Sequence, residues 1–79
     1  MLQFKALEGV VLEQYMKRLR DLREDHDMTQ TQVAEILGTS QTMYARYERG
    51  ASELPIRHLV VLCRLYRVSA DDILGLRRK

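Results

Sequence analysis

With 79 residues, 46% of them hydrophobic and 30% charged, the chain has room for one domain and the composition of a folded protein, not a disordered one. A single cysteine excludes an internal disulfide, and no stretch has the form of a signal peptide or a membrane span, so a cytoplasmic protein is expected. The formal net charge is only +2, a weak footprint in sum, but Lys17, Arg18, Arg20 and Arg23 crowd one segment and Arg77, Arg78 and Lys79 close the chain.

Residues 1–11 are the least legible part. Leu2, Phe4 and Ala6 alternate with Gln3 and Lys5 in a short strand-like pattern, and Gly9 interrupts it. The segment reads as an N-terminal arm or tail, with a frayed extension of the first helix as an alternative, and Leu2, Phe4 and Leu7 as candidates for a dimer contact. Residues 12–76 form the domain, and 77–79 a basic tail. From 12 to 25 the period is helical: Leu12, Tyr15, Met16, Leu19 and Leu22 share one face. Glu24, Asp25 and Asp27 then collect where the helix dipole disfavours them, so the helix should stop there.

Thr29 is a suitable N-cap for a second helix, with Val33, Ala34 and Leu37 as its buried stripe and Gly38 as its C-cap. Ser40 caps a third helix running through Arg49, and Gly50 ends it. Residues 51–54 form a loop, and Pro55 sits where the first turn of a helix tolerates it. Ile56, Leu59, Val60, Leu62, Cys63 and Tyr66 predict a broad apolar face and a centrally buried fourth helix. Val68 anchors a connection, Ser69 caps a last short helix with Ile73 and Leu74, and Gly75 follows. The expectation is an all-α, five-helix domain.

The second and third helices with their turn carry the most information. Counting from Gln30 as the first position, alanine is fifth, glycine ninth, and apolar or aromatic residues fill the fourth, eighth, fifteenth and eighteenth. A small residue at the fifth lets two helices approach closely, and glycine at the ninth permits a sharp turn. The others pack the pair on the rest of the domain, as in a helix-turn-helix. The third helix is unusually polar outside: Gln41, Thr42 and Arg46 are side chains that hydrogen-bond to base edges in a major groove, and Met43 between them could meet a thymine methyl group. Tyr44 and Tyr47 are expected in the core, Ser40 primarily as a cap, and Cys63 as an inert core residue.

These features resemble the phage repressor and Cro-type, or Xre-type, helix-turn-helix family. The segments that carry the likeness are RLRDLRE (18–24), MTQTQVAEILG (28–38), YERG (47–50), LPIRHLVVLCRLY (54–66) and VSADDIL (68–74). The resemblance implies a compact lambda-repressor-like domain that docks its third helix in the major groove of double-stranded DNA, as a homodimer on a two-fold operator, and acts as a transcriptional repressor. It implies base contacts from Gln41, Thr42 and Arg46, and phosphate contacts from Gln30 and Arg49. Ser40 and Ser52 are grouped on the phosphate side. It also implies an Arg23–Glu48 salt bridge tying the first helix to the third. Ile73, Leu74 and Leu76 are the dimer candidates in the last helix and the tail after it. The chain departs from the family pattern at Thr39, the often apolar tenth position. It departs again in the loop 51–56, which carries Glu53 where a basic residue is common, so no minor-groove contact is expected there.

No nucleophile–base pair, phosphate-cradling loop or metal-ligand spacing occurs, so neither catalysis, nor a metal or other cofactor, nor a small-molecule ligand is expected. Two other functional classes stay open: an antitoxin-type protein that neutralises a partner toxin and regulates its own operon, and a protein-interaction module without a DNA role.

Overall fold

Five helices and no strand make up residues 2–76, the residues described in a computed structural model: α1 (Leu2–Asp25), α2 (Gln30–Leu37), α3 (Gln41–Glu48), α4 (Ile56–Tyr66) and α5 (Ala70–Leu74). Side chains are described over 14–76, so the basic tail 77–79 and the side chains of Leu2, Phe4 and Leu7 lie outside the described residues. No described helix is long and apolar enough to cross a membrane.

The first helix corrects the sequence reading. It begins at Leu2 and passes through Gly9 without a break, so the arm or tail preferred for this segment gives way to the alternative, an extension of the first helix. The reason is visible in the spacing. Phe4, Leu7 and Val11 lead into Tyr15 by steps of three and four, a longer-ranged pattern than the alternation over 2–6. One internal glycine costs only about 1 kcal/mol relative to alanine.

Local capping chemistry sets the remaining boundaries. Thr29 Oγ1 accepts from the Gln32 amide at 3.1 Å, while Gln32 Oε1 accepts from the Thr29 amide at 2.8 Å, a reciprocal capping box that fixes the start of α2. Gly38 closes α2 at φ 74°, with open space around its missing Cβ, so the backbone conformation alone demands glycine. Ser40 Oγ accepts from the Met43 amide at 3.0 Å, and Ser69 Oγ from the Asp72 amide at 3.1 Å, starting α3 and α5. Pro55 is the residue before α4 rather than its first turn.

The core is a single cluster. Tyr15, Leu19 and Leu22 of α1 meet Val33, Ala34 and Leu37 of α2, Tyr44 and Tyr47 of α3, Leu62 and Tyr66 of α4, and Ile73 of α5. Two corrections follow. The buried stripe of α4 is His58, Leu62 and Tyr66, four residues apart, whereas Val60 is exposed and Ile56 is 78% exposed. His58 packs its ring 5.8 Å from that of Tyr47, and burial pushes its pKa down, toward the neutral imidazole that an aromatic pocket accepts. Ile73 is fully buried and takes no part in any surface. Arg18 clamps α1 to α5 through Asp72, Nη2 to Oδ2 at 2.6 Å.

One position carries a removable penalty. Arg67 ends α4 in the left-handed region, φ 57°, where a β-carbon is disfavoured. Arg67→Gly is expected to leave stability unchanged or raise it by up to about 1 kcal/mol, because relief of that strain is partly offset by the extra freedom of glycine in the unfolded chain. A urea melt reads the difference, and a clear loss would mean that the arginine side chain holds the helix end.

Candidate nucleic-acid interface

The exposed side of α3 starts at its N-terminus, where Gln41, Thr42 and Met43 all reach solvent; the helix stops at Glu48, one residue earlier than expected, and Arg49 just past its end is also exposed. Arg46 lies between them, half-buried. The buried side of the same helix, Tyr44, Tyr47 and Glu48, presses on α1, α2 and α4. An eight-residue helix this deeply anchored on one side is a rigid presenter of whatever its other side carries.

A chain of hydrogen bonds links the core to the first residue of that surface. Arg23 of α1 donates from Nε to Glu48 Oε2 at 2.7 Å and from Nη2 to Glu48 Oε1 at 3.2 Å, a two-point pairing that spans α1 and α3. Its Nη1 donates to the Met28 carbonyl at 3.0 Å, so one guanidinium also fixes the turn before α2. Gln30 donates from Nε2 to Glu48 Oε1 at 3.2 Å, and Gln41 donates from Nε2 to Gln30 Oε1 at 2.8 Å.

The charge of Glu48 polarises this chain. An ionised carboxylate only accepts, so Gln30 must turn its NH2 toward it and its carbonyl toward Gln41. Gln41 must then turn its own NH2 inward. What it keeps free is its carbonyl oxygen and one N–H, the acceptor–donor pair that matches the N6 and N7 edge of adenine. Burial works against the charge on Glu48, but the hydrogen bonds from Arg23 and Gln30 outweigh that and hold its carboxyl below the ordinary glutamate range. The Tyr44 and Tyr66 hydroxyls are buried without a hydrogen-bond partner. Burial first, and the nearby Glu48 charge after it, pushes both phenols upward, Tyr66 to about 12.

Other positions sort differently. Gln30, expected on a phosphate, uses an N–H and its carbonyl inside the protein and keeps one N–H for an outside acceptor. Ser40 Oγ serves as the cap of α3. Ser52, also expected on a phosphate, has its Oγ turned to Arg46. Of the dimer candidates, Ile73 is in the core, Leu74 is half-buried against it, and Leu76 is 61% exposed. Leu76 is accompanied on the surface by Ile56 and Val60, apolar positions that the periodicity had assigned inward. The Gln30–Glu48 and Arg46–Ser52 contacts were not anticipated. The first joins residues 18 apart and the second closes across a loop, and neither spacing is a helical repeat.

Comparison with known proteins bears on the family and the fold. Residues 19–73 match the family model HTH_3, a helix-turn-helix. Over 62 residues the chain is 47% identical to YobD of Bacillus subtilis, an uncharacterized HTH-type transcriptional regulator, covering 78% of this chain and 55% of that protein. Over 59 residues it is 37% identical to the antitoxin PezA of Streptococcus pneumoniae, covering 75% of this chain and 37% of that one. The chain thus spans about half or less of the length of these curated relatives. The crystal structure of a transcriptional regulator from Listeria innocua superposes with a TM-score of 0.77 at 26% identity, covering 84% of this chain and 62% of that one.

Proposed function

This chain belongs to the helix-turn-helix family HTH_3, whose members are DNA-binding transcriptional regulators, and from that premise we propose that it reads a specific double-stranded sequence with α3 in the major groove. The observation that carries the reading is the placement of Gln41, Thr42 and Arg46 along the open side of a helix whose other side is locked into the core. Their free donors and acceptors are of the kind that distinguish base pairs in that groove. Arg49 is exposed beyond them and supplies a charge for the phosphate backbone. A single module of this size buries about 600–1,000 Å² on DNA, too little for tight specific binding, so two copies act together on a two-fold site with half-sites roughly 34 Å apart. Bound over a promoter, the dimer excludes polymerase and represses.

Likeness to the antitoxin PezA supports a second reading, in which the same domain regulates its own operon while a partner toxin is the main target. The two readings share the DNA surface and differ in the protein partner.

Selection of duplexes from a random pool at physiological salt tests the proposal. The parent is expected to enrich one motif, an inverted repeat, and the Gln41→Ala/Thr42→Ala/Arg46→Ala variant to enrich none. Failure of the parent to enrich any motif would overturn base reading. An equal motif from the variant would move the readout off α3.

A further inference from the structure

Arg46 does not project freely from α3. Its Nε donates to Ser52 Oγ at 2.9 Å and its Nη2 to the Ala51 carbonyl at 3.3 Å. Its own carbonyl accepts from the amides of Ala51 and Ser52, at 2.9 and 3.3 Å. Backbone and side chain of one residue therefore grip the same two loop residues. Gly50, at φ 78°, makes the reversal that brings them back, and the Met16 side chain occupies the space a β-carbon there would need.

Guanidinium geometry gives this clasp a direction. The group is a rigid planar fork with five N–H donors. Nε–H and the Nη2–H beside it form one edge, and both are spent on the loop. The end edge, one N–H from Nη1 and one from Nη2, makes no hydrogen bond among the described residues, and it is an edge that can grip guanine O6 and N7 together. A long side chain that must be fixed before it can read a base is thus fixed by the loop before DNA arrives, so less rotamer freedom is lost on binding.

We infer that Ser52 is a positioning residue for base recognition: its hydroxyl holds the Arg46 guanidinium with its bidentate edge turned outward, and so sets selectivity at one base pair. The inference rests on the DNA-reading proposal above and adds to it. It differs from a phosphate contact by Ser52, which would strengthen binding to every duplex alike.

The test uses duplexes carrying the selected motif and its single-base-pair variants, with the whole chain as parent, Arg46→Ala, Ser52→Ala and Ser52→Thr. The parent's preference should vanish under Arg46→Ala at one base pair in each half-site. At that same pair Ser52→Ala is expected to cut a preference of about ten- to a hundredfold to a fewfold, leaving preferences elsewhere intact. Ser52→Thr keeps the hydroxyl and is expected to restore it. Thermal melts of all variants verify folding. Uniform weakening on every duplex under Ser52→Ala, or no change in preference, would overturn the inference while base reading by α3 stands. If Arg46→Ala alters no base preference, the inference fails at its premise. If the parent prefers no sequence at all, base reading fails with it.

Discussion

Glu48→Ala is expected to remove a large part of the stability of the fold. Glu48 is only 7% exposed and accepts two of the three hydrogen bonds of the Arg23 guanidinium. Removing it leaves a buried positive charge with only the Met28 carbonyl and the exposed Glu24 carboxylate, 4.0 Å away, for company. Breaking one side of such a pair costs about 3–5 kcal/mol. A domain of this length has on the order of 4–12 kcal/mol in total. At about 4–8 °C per kcal/mol for a domain of this size, the melting temperature should fall by roughly 12–40 °C. Removing both partners together, Arg23→Met with Glu48→Leu, should recover much of the loss, because no unpaired charge then remains. A Glu48→Ala melt close to the parent would show that the pair is dispensable.

Acid should act through the same residue. The carboxyl of Glu48 sits below its ordinary value of 4.5 when folded, so the unfolded chain takes up its proton first. Its contribution is complete above that value and is lost as pH falls through the folded pKa. Parent stability should therefore decline below about pH 4.5 more steeply than that of Glu48→Gln, which has no charge to lose at this position. Protonation also gives Glu48 an O–H donor beside its remaining acceptor, so the carboxyl no longer dictates which way the Gln30 amide turns, nor through it the Gln41 amide.

What could be read from the sequence follows the range of each interaction. Thr29, Ser40 and Ser69 were legible as caps because a cap bonds within three residues of itself. The turn at Gly38 was legible because only one conformation fits there. Arg23 and Glu48 are 25 residues apart, and no local rule pairs them; resemblance to a family suggested them. His58 escaped because periodicity weighs residue type, and a histidine in a buried stripe counts against the stripe until its aromatic neighbour is known. Ile56 and Val60 were misassigned for the complementary reason: apolar residues on both sides of α4 blur the direction of its buried face. The reading face of α3 was visible in its residue types, but its organisation by Glu48, Gln30 and Ser52 depends on where α1, α2 and the loop return.

Two substitutions at the last helix separate folding from assembly. Ile73 is 0% exposed, and a carboxylate there has no partner in the cluster around it. Ile73→Asp loses the burial of an isoleucine and adds an unsatisfied acid, together more than about 4 kcal/mol, so helical circular dichroism should be largely lost at 25 °C. Leu76, three residues on, is mostly solvent-exposed, and an acid there should shift stability by no more than about 0.5 kcal/mol. Its expected effect is on association. Leu76 is the exposed member of the C-terminal dimer candidates, and a carboxylate there from each copy would bring like charges together where the two copies meet. Leu76→Asp should sediment as a monomer and lose about 10²–10⁴-fold in affinity for the complete two-fold site, while binding an isolated half-site like the parent. Unchanged sedimentation with an unchanged melt would take the contact away from Leu76 and leave residues 2–13 of α1 as its place.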